Sequence, residues 1–289
     1  MIPASFDYIR PVSIDEAAHV LGNAGDEAKV LAGGQSLLPL LRLRLAYPTT
    51  LVDVGRLEEL RGIRDEGDHL FIGAMTTHDE VMRAGAIREH APLLALAAAT
   101  VADPAVRHRG TFGGSLAHGD PAGDLPAVAR ALDAQFVIRS MEGERSVGAA
   151  DFFVDYLETA LGPGDLLVGV RVPKLGQGWG FHYEKFRRTA QAWAIVAVAA
   201  AVRRDNGVIQ EARVGLTNMG TTPVRATAVE NAVRGAAVDN GGLREAANEA
   251  DDGTEPPSDL HAKPDYRRHL ARVLTFRALT LATPTPPPA

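Results

Sequence analysis

Hydrophobic and polar positions change period several times along the 289-residue chain, and each change predicts an element. "SIDEAAHVLGNAG" has helical spacing, with Ser13 as cap, Glu16 completing a capping box, and Gly22 or Gly25 at its end. "AKVLAGG" reads as a short buried strand broken on two glycines. "SLLPLLRLRL" then restarts as a helix, with Ser36 as N-cap and Pro39 near the first turn. "TLVDV" (50–54) and "HLFIGAM" (69–75) predict strands, and Thr76 or Thr77 caps a short helix toward Ala84. "APLLALAAATVA" and "DLPAVARALDA" predict helices on either side of a second glycine loop, and "QFVIRS" predicts a strand. "ADFFVDYLETAL" and "GDLLVGVRVP" close this part of the chain.

Pro173 and the glycines at 176, 178 and 180 predict a linker. Beyond it the texture changes. "FHYEKFRR", "AWAIVAVAAAVRR" and "VIQEARVGLTNMG" read as consecutive strands, the last two joined by a tight Asn206-Gly207 turn. Helices follow at about 225–235, 241–250 and 265–282. The expected division is 1–175, with subdomains of about 1–57 and 58–175, then 176–282, then a proline-rich tail over 283–289. Runs of strands followed by helices predict an α+β fold, and no internal repeat is present.

Composition removes several functions. Net charge is −6 with no long basic block, so nucleic acid is not an expected partner. The pairs Arg187-Arg188 and Arg267-Arg268 read as solvated faces or interface groups. "AWAIVAVAAAV" (192–202) is too short to span a bilayer, and "MIPASFDYIRP" lacks the pattern of a secretory signal. A cytoplasmic protein is expected. The chain has no cysteine, which excludes disulfides, thiolate nucleophiles and cysteine-ligated clusters within it. The nine histidines show no HExxH or other compact ligand spacing, and no metal site is expected.

The chemistry concentrates in a repeated pattern. "LAGGQSL" (31–37) and "TFGGS" (111–115) both set paired glycines before a predicted helix start. Backbone N–H groups approach a phosphate best where no Cβ intervenes, and a helix start adds a favourable dipole end. Gln35, Ser36, Thr111 and Ser115 add side-chain groups, so two such loops could grip a diphosphate from both sides. Ordinary turn punctuation accounts for either loop alone. Neither matches GxxxxGK[ST] or GxGxxG, which removes the P-loop and Rossmann readings.

The segments "AGGQSLLPLLRLR" (32–44) and "TFGGSLAHGDPAGD" (111–124) resemble the two signatures of the FAD-binding medium subunits of molybdenum hydroxylases. That family includes the aerobic carbon monoxide dehydrogenase type, which this chain resembles most, and the flavin domain of xanthine dehydrogenase. "FDYIRP", "IGAMTTH" (72–78), "YEKFRR" (183–188) and "GLTNMGTTP" (215–223) are also typical, so the likeness runs to about residue 280. The resemblance implies a vanillyl-alcohol-oxidase-type (PCMH-like) FAD domain of two α+β subdomains, then a C-terminal α+β domain with a three-stranded antiparallel sheet and helices.

It also implies a cofactor-binding set. Leu31, Ala32, Gly33, Gly34, Gln35, Ser36 and Leu37 form one loop, and Thr111, Phe112, Gly113, Gly114 and Ser115 the other. Asp124 would accept hydrogen bonds from the cofactor, with a helix N-cap as its alternative role, and Val101 joins the set. Leu167 would pack on the isoalloxazine ring. Lys185 would place charge near it, unless it is an exposed strand lysine, and Trp193 would stack near it, unless it is a core residue. Gln35, Phe112 and Trp193 depart from the residues usual there, which loosens the substrate assignment.

The function so implied is electron transfer. A large subunit would hold molybdopterin–molybdenum, a small one two [2Fe–2S] clusters, and this chain FAD, in a dimer of heterotrimers that reduces a quinone or other acceptor. No membrane span is expected, although the complex could sit peripherally on a membrane. Carbon monoxide is the expected substrate. The alternatives within the class are N-heterocycle or aromatic-thioester hydroxylases of the caffeine, nicotine, nicotinate or xanthine type. Outside it stand a free-standing FAD oxidase and a flavin-less scaffold subunit.

Overall fold

A computed structural model describes residues 2–237 and 239–283, without the side chain of Asn240; the predicted tail from Pro284 lies outside the described residues. Strands β1 (Asp7–Ile9), β2 (Ala28–Leu31) and β3 (Thr50–Asp53) form a parallel sheet in the order β1-β3-β2. Ser13 caps the helix Ile14–Ala24 by accepting from the Glu16 amide at 3.1 Å, and Gly25 ends it. The expected capping box is displaced by one residue. The Glu16 carboxylate accepts from the Val12 amide at 2.7 Å rather than from Ser13. The helix Ile14–Ala24 connects β1 to β2 and the helix Leu37–Leu43 connects β2 to β3, so this sheet of the α+β chain is built from two parallel βαβ crossovers.

The second sheet is antiparallel, in the order β4-β5-β10-β6-β7. Its strands are β4 (Ile63–Asp65), β5 (His69–Gly73), β6 (Gln135–Ser140), β7 (Gly143–Gly148) and β10 (Leu166–Pro173), with the short pair β8 (Phe153–Asp155) and β9 (Glu158–Thr159) apart. Between β5 and β6 the chain makes six helices, among them Pro92–Thr100 and Asp124–Ala131. Thr77, not Thr76, caps His78–Arg83, with a closed capping box to Glu80.

The C-terminal sheet consists of β11 (Trp179–Phe186), β12 (Val196–Asp205), β13 (Val208–Thr217) and β14 (Val224–Arg225). It has four strands, not the expected three, because Val224 and Arg225 pair with Leu216 and Gly215. Gly180 is also a strand residue, paired with Val202, and not part of a linker. Asn206 and Gly207 both take positive φ, as the predicted tight hairpin requires.

β12 is buried on both faces, which explains its unbroken apolar run. Ala197, Ala199 and Ala201 pack with the second sheet and its helices, while Val196, Val198 and Val202 face the long helix Pro264–Ala282. Among the described residues, no helix is long and apolar enough to cross a membrane.

Candidate functional site

β2 delivers the chain into the first glycine loop. Gly34 has φ +73°, a conformation that a Cβ would strain, and Leu38 N–H returns to Gly34 O at 3.0 Å to start the helix. Among the described residues, no amide from Gly33 to Leu37 donates to a protein acceptor. Five N–H groups on a turning backbone form the kind of concavity that receives an anion. Ser36 already has helical φ and ψ, and its hydroxyl makes no capping bond, contrary to the expectation. Gln35 folds back, donating from Nε2 to Gly33 O at 3.2 Å.

The second loop is built differently. Phe112 N–H donates to Thr76 O at 2.8 Å, Gly113 N–H to Ala74 O at 2.9 Å, and Gly114 N–H to Thr111 Oγ1 at 3.1 Å. Ser115 N–H donates to Thr111 O at 3.0 Å. These amides are engaged within the protein, so the expectation of a second amide cradle is corrected. What this loop offers outward is the half-buried Ser115, whose hydroxyl has no partner among the described residues, together with Thr111 on the wall of the cleft described next. Phe112 is fully buried in the core.

The loops do meet. A Cβ on Gly33 would lie 2.2 Å from Arg109 O, so the first loop rests directly on the backbone that leads into the second. Beside this contact opens a cleft of about 430 Å³. Leu31, Ala32, Gly33, Gly34 and Thr111 line it, together with Arg10, Arg56, Arg61 and Arg109. Asp53, the acid on its wall, is already paired. Tyr8 OH donates to Asp53 Oδ2, the Gly55 amide donates to Oδ1 at 2.8 Å, and Arg10 lies 3.6 Å away. The cleft therefore presents excess positive charge to any ligand.

A second polar cluster is buried away from the cleft. Asp124 is the first residue of its helix; Gly123 is the N-cap, so the capping role for Asp124 is corrected. Its carboxylate accepts from Tyr183 OH and from Lys185 Nζ, both at 2.7 Å. The Lys185 side chain is 4% exposed and also donates to Thr100 O at 3.2 Å, so it is not an exposed strand lysine. Burial and the Asp124 charge raise the Tyr183 pKa well above its usual value, keeping the phenol a donor. Leu167 is buried in the core, half-buried Val101 accepts from Arg107 Nη1 at 2.8 Å, and Trp193 is 55% exposed in the β11–β12 connection, not a core residue.

Comparison with known proteins places this geometry. Residues 4–175 match the family described as FAD binding domain in molybdopterin dehydrogenase, and residues 181–282 match the CO dehydrogenase flavoprotein C-terminal domain. This chain belongs to that FAD-binding family. The carbon monoxide dehydrogenase medium chain of Hydrogenophaga pseudoflava is 40% identical, covering 98% of each chain. The solved carbon monoxide dehydrogenase of that organism, lacking the Mo-pyranopterin moiety of its molybdenum cofactor, superposes with a TM-score of 0.95 at 42% identity, covering 98% of each chain. The 6-hydroxypseudooxynicotine dehydrogenase complex subunit alpha of Paenarthrobacter nicotinovorans is 37% identical, covering 98% of this chain and 96% of its own.

For a member of this FAD-binding family, the residues present fit the cofactor. The open amides suit a diphosphate and the cationic wall suits its charge. Sequence reasoning missed Arg10, Asp53, Arg56, Arg61 and Arg109 as cleft residues. "RHRG" (107–110) immediately before the second loop and "DVGR" (53–56) at the end of β3 were the available signals.

Proposed function

We propose that this chain is the FAD-carrying electron-transfer subunit of a molybdenum-containing hydroxylase. The observation that carries the reading is the run of open amides over Gly33–Leu37, which begins at Gly33 and Gly34 on the wall of a cationic cleft, in a chain matched along its length by the family's two domains. FAD, when bound, supplies exchange of one or two electrons. The chain's own residues bind and orient it. Leu31–Leu37 would meet the diphosphate through amides and the Ser36 hydroxyl, one phosphate at least, and Thr111 and Ser115 would add hydroxyls, while Gly113 and Gly114 let the second loop pack closely on Ala74 and beside Ala32. Asp124, Lys185, Leu167, Val101 and Trp193 belong to the ring end in this reading. Since Lys185 is paired with Asp124, its charge acts on the ring only as part of a neutral pair.

The domain division that goes with this reading is 1–175 for FAD and 176–282 for the C-terminal domain. A chain without cysteine cannot ligate [2Fe–2S] clusters by thiolates, so a small partner subunit would hold them and a large one the molybdenum centre. A dimer of heterotrimers in the cytoplasm, passing electrons to a quinone or similar acceptor, completes the proposal. Likeness to the carbon monoxide dehydrogenase medium chain favours carbon monoxide as the substrate of the large subunit. The likeness to the 6-hydroxypseudooxynicotine enzyme supports the alternative, an N-heterocycle-related substrate.

The test is purification from the native cell with an absorbance spectrum and subunit analysis. Flavin and iron–sulfur bands with a large and a small partner are expected, followed by assay with carbon monoxide. A colourless chain that purifies alone would overturn the reading.

A further inference from the structure

The four arginines of the cleft are not equivalent. Arg10 donates to Tyr8 OH at 3.0 Å and faces Asp53, while Arg61 donates to Gly55 O at 2.7 Å. Arg56 and Arg109, both exposed, have no acceptor among the described residues. They enter from different elements, Arg56 from the turn after β3 and Arg109 from the segment on which Gly33 rests. Among the described residues the one carboxylate lining the cleft is Asp53, which is held by Tyr8, Gly55 and Arg10 and does not neutralise them. Two guanidiniums without a partner among the described residues thus share a cleft with Gly33 and Gly34, the start of the run of open amides.

A mononucleotide carries one phosphate, which the amide loop alone can satisfy. A second phosphate needs further donors, and guanidinium groups recognise phosphate oxygens with paired N–H bonds. We infer that Arg56 and Arg109 clamp the second, adenosine-side phosphate and so make this site select FAD over FMN. The inference rests on the proposal that this chain binds FAD through the Gly33–Leu37 loop.

The experiment uses the full chain stripped of flavin and titrated with FAD, FMN and ADP, read by flavin fluorescence and calorimetry. The wild-type chain is expected to prefer FAD by about a hundredfold and to let ADP compete with it. In Arg56→Ala/Arg109→Ala, FAD affinity should fall about ten- to a hundredfold, FMN affinity should hold within about threefold, and ADP competition should vanish, as befits charge-assisted bonds. The Arg56→Lys/Arg109→Lys protein should recover part of the FAD preference. Should the alanine protein not fold, a steeper fall of FAD than of FMN affinity with added salt in the wild-type chain carries the same expectation; parallel salt dependences would overturn the clamp. A folded alanine variant with unchanged FAD-to-FMN ratio would also overturn it while leaving FAD binding intact. A wild-type chain that binds no FAD would overturn the underlying proposal.

Discussion

The two glycine loops share a sequence pattern and differ in what their backbones do. In the first, five amides have no acceptor among the described residues; in the second, the amides of residues 112–115 are all engaged. Paired glycine therefore answers two separate demands. Gly34 is needed for its positive φ, which turns the amides outward. Gly113 is needed for closeness, since a Cβ there would stand 2.4 Å from Ala74 Cβ and 2.7 Å from Ala74 O. Substituting Gly113→Val attacks that closeness directly. Overpacking a buried backbone contact should cost roughly 3–5 kcal/mol, at the severe end for a single change. Thermal unfolding of the flavin-free chain checks this, and a loss below about 1 kcal/mol would sink the packing account.

His78 sharpens the comparison from beneath the second loop. Its amide donates to Gly110 O at 3.0 Å, and its buried ring lies against Gly110 with Nδ1 lacking a partner among the described residues. Burial, aided by the Arg107 charge, lowers its pKa to about 4 from 6.5. A folded chain that refuses a proton accepted by the unfolded chain is stable above pH 6.5 and loses stability as pH falls toward 4. The loss is about 3 kcal/mol by linkage. Carboxylates such as Asp65 and Asp251 also have lowered pKa values, through Lys174 and Arg272, so acid weakens the protein through them as well. Urea unfolding at pH 7 and 4.5 should show a smaller acid loss in His78→Leu than in wild type. Equal losses would mean that His78 does not hold the loop through its neutral form.

The extent to which sequence revealed this contrast follows from what each signal measures. Helical spacing in 14–24, the Asn206-Gly207 hairpin and the apolar run of β12 are local or one-body patterns, and the structure bears them out. The glycine pairs were visible, but not which amides would be engaged, because Thr76 O and Ala74 O come from a separate segment about forty residues earlier. The Asp124–Tyr183–Lys185 cluster spans 61 positions; Asp124 and Lys185 surfaced only as separate candidates, and Tyr183 not as a candidate. Arg56 and Arg109 were invisible as a pair, since only folding brings their loops to one cleft. β14 is two residues long, too short for any period to register.

The smallest expected effects come from a matched pair of hydroxyls. Thr111 Oγ1 caps the helix Phe112–His118 through the Gly114 amide, so Thr111→Ala should cost about 1 kcal/mol of stability. Ser36 stands at the corresponding place before Leu37–Leu43 but makes no cap. Ser36→Ala should therefore leave stability within about 0.5 kcal/mol of wild type, as for a surface change without a structural partner. Its effect should fall on the ligand instead, with FAD affinity about tenfold weaker where a hydroxyl donor to a charged phosphate is lost. Thermal unfolding without flavin, paired with flavin titration, separates the two quantities for both variants. A Ser36→Ala chain that loses as much stability as Thr111→Ala, with FAD affinity unchanged, would show that both loops are structural and would erase the distinction between them.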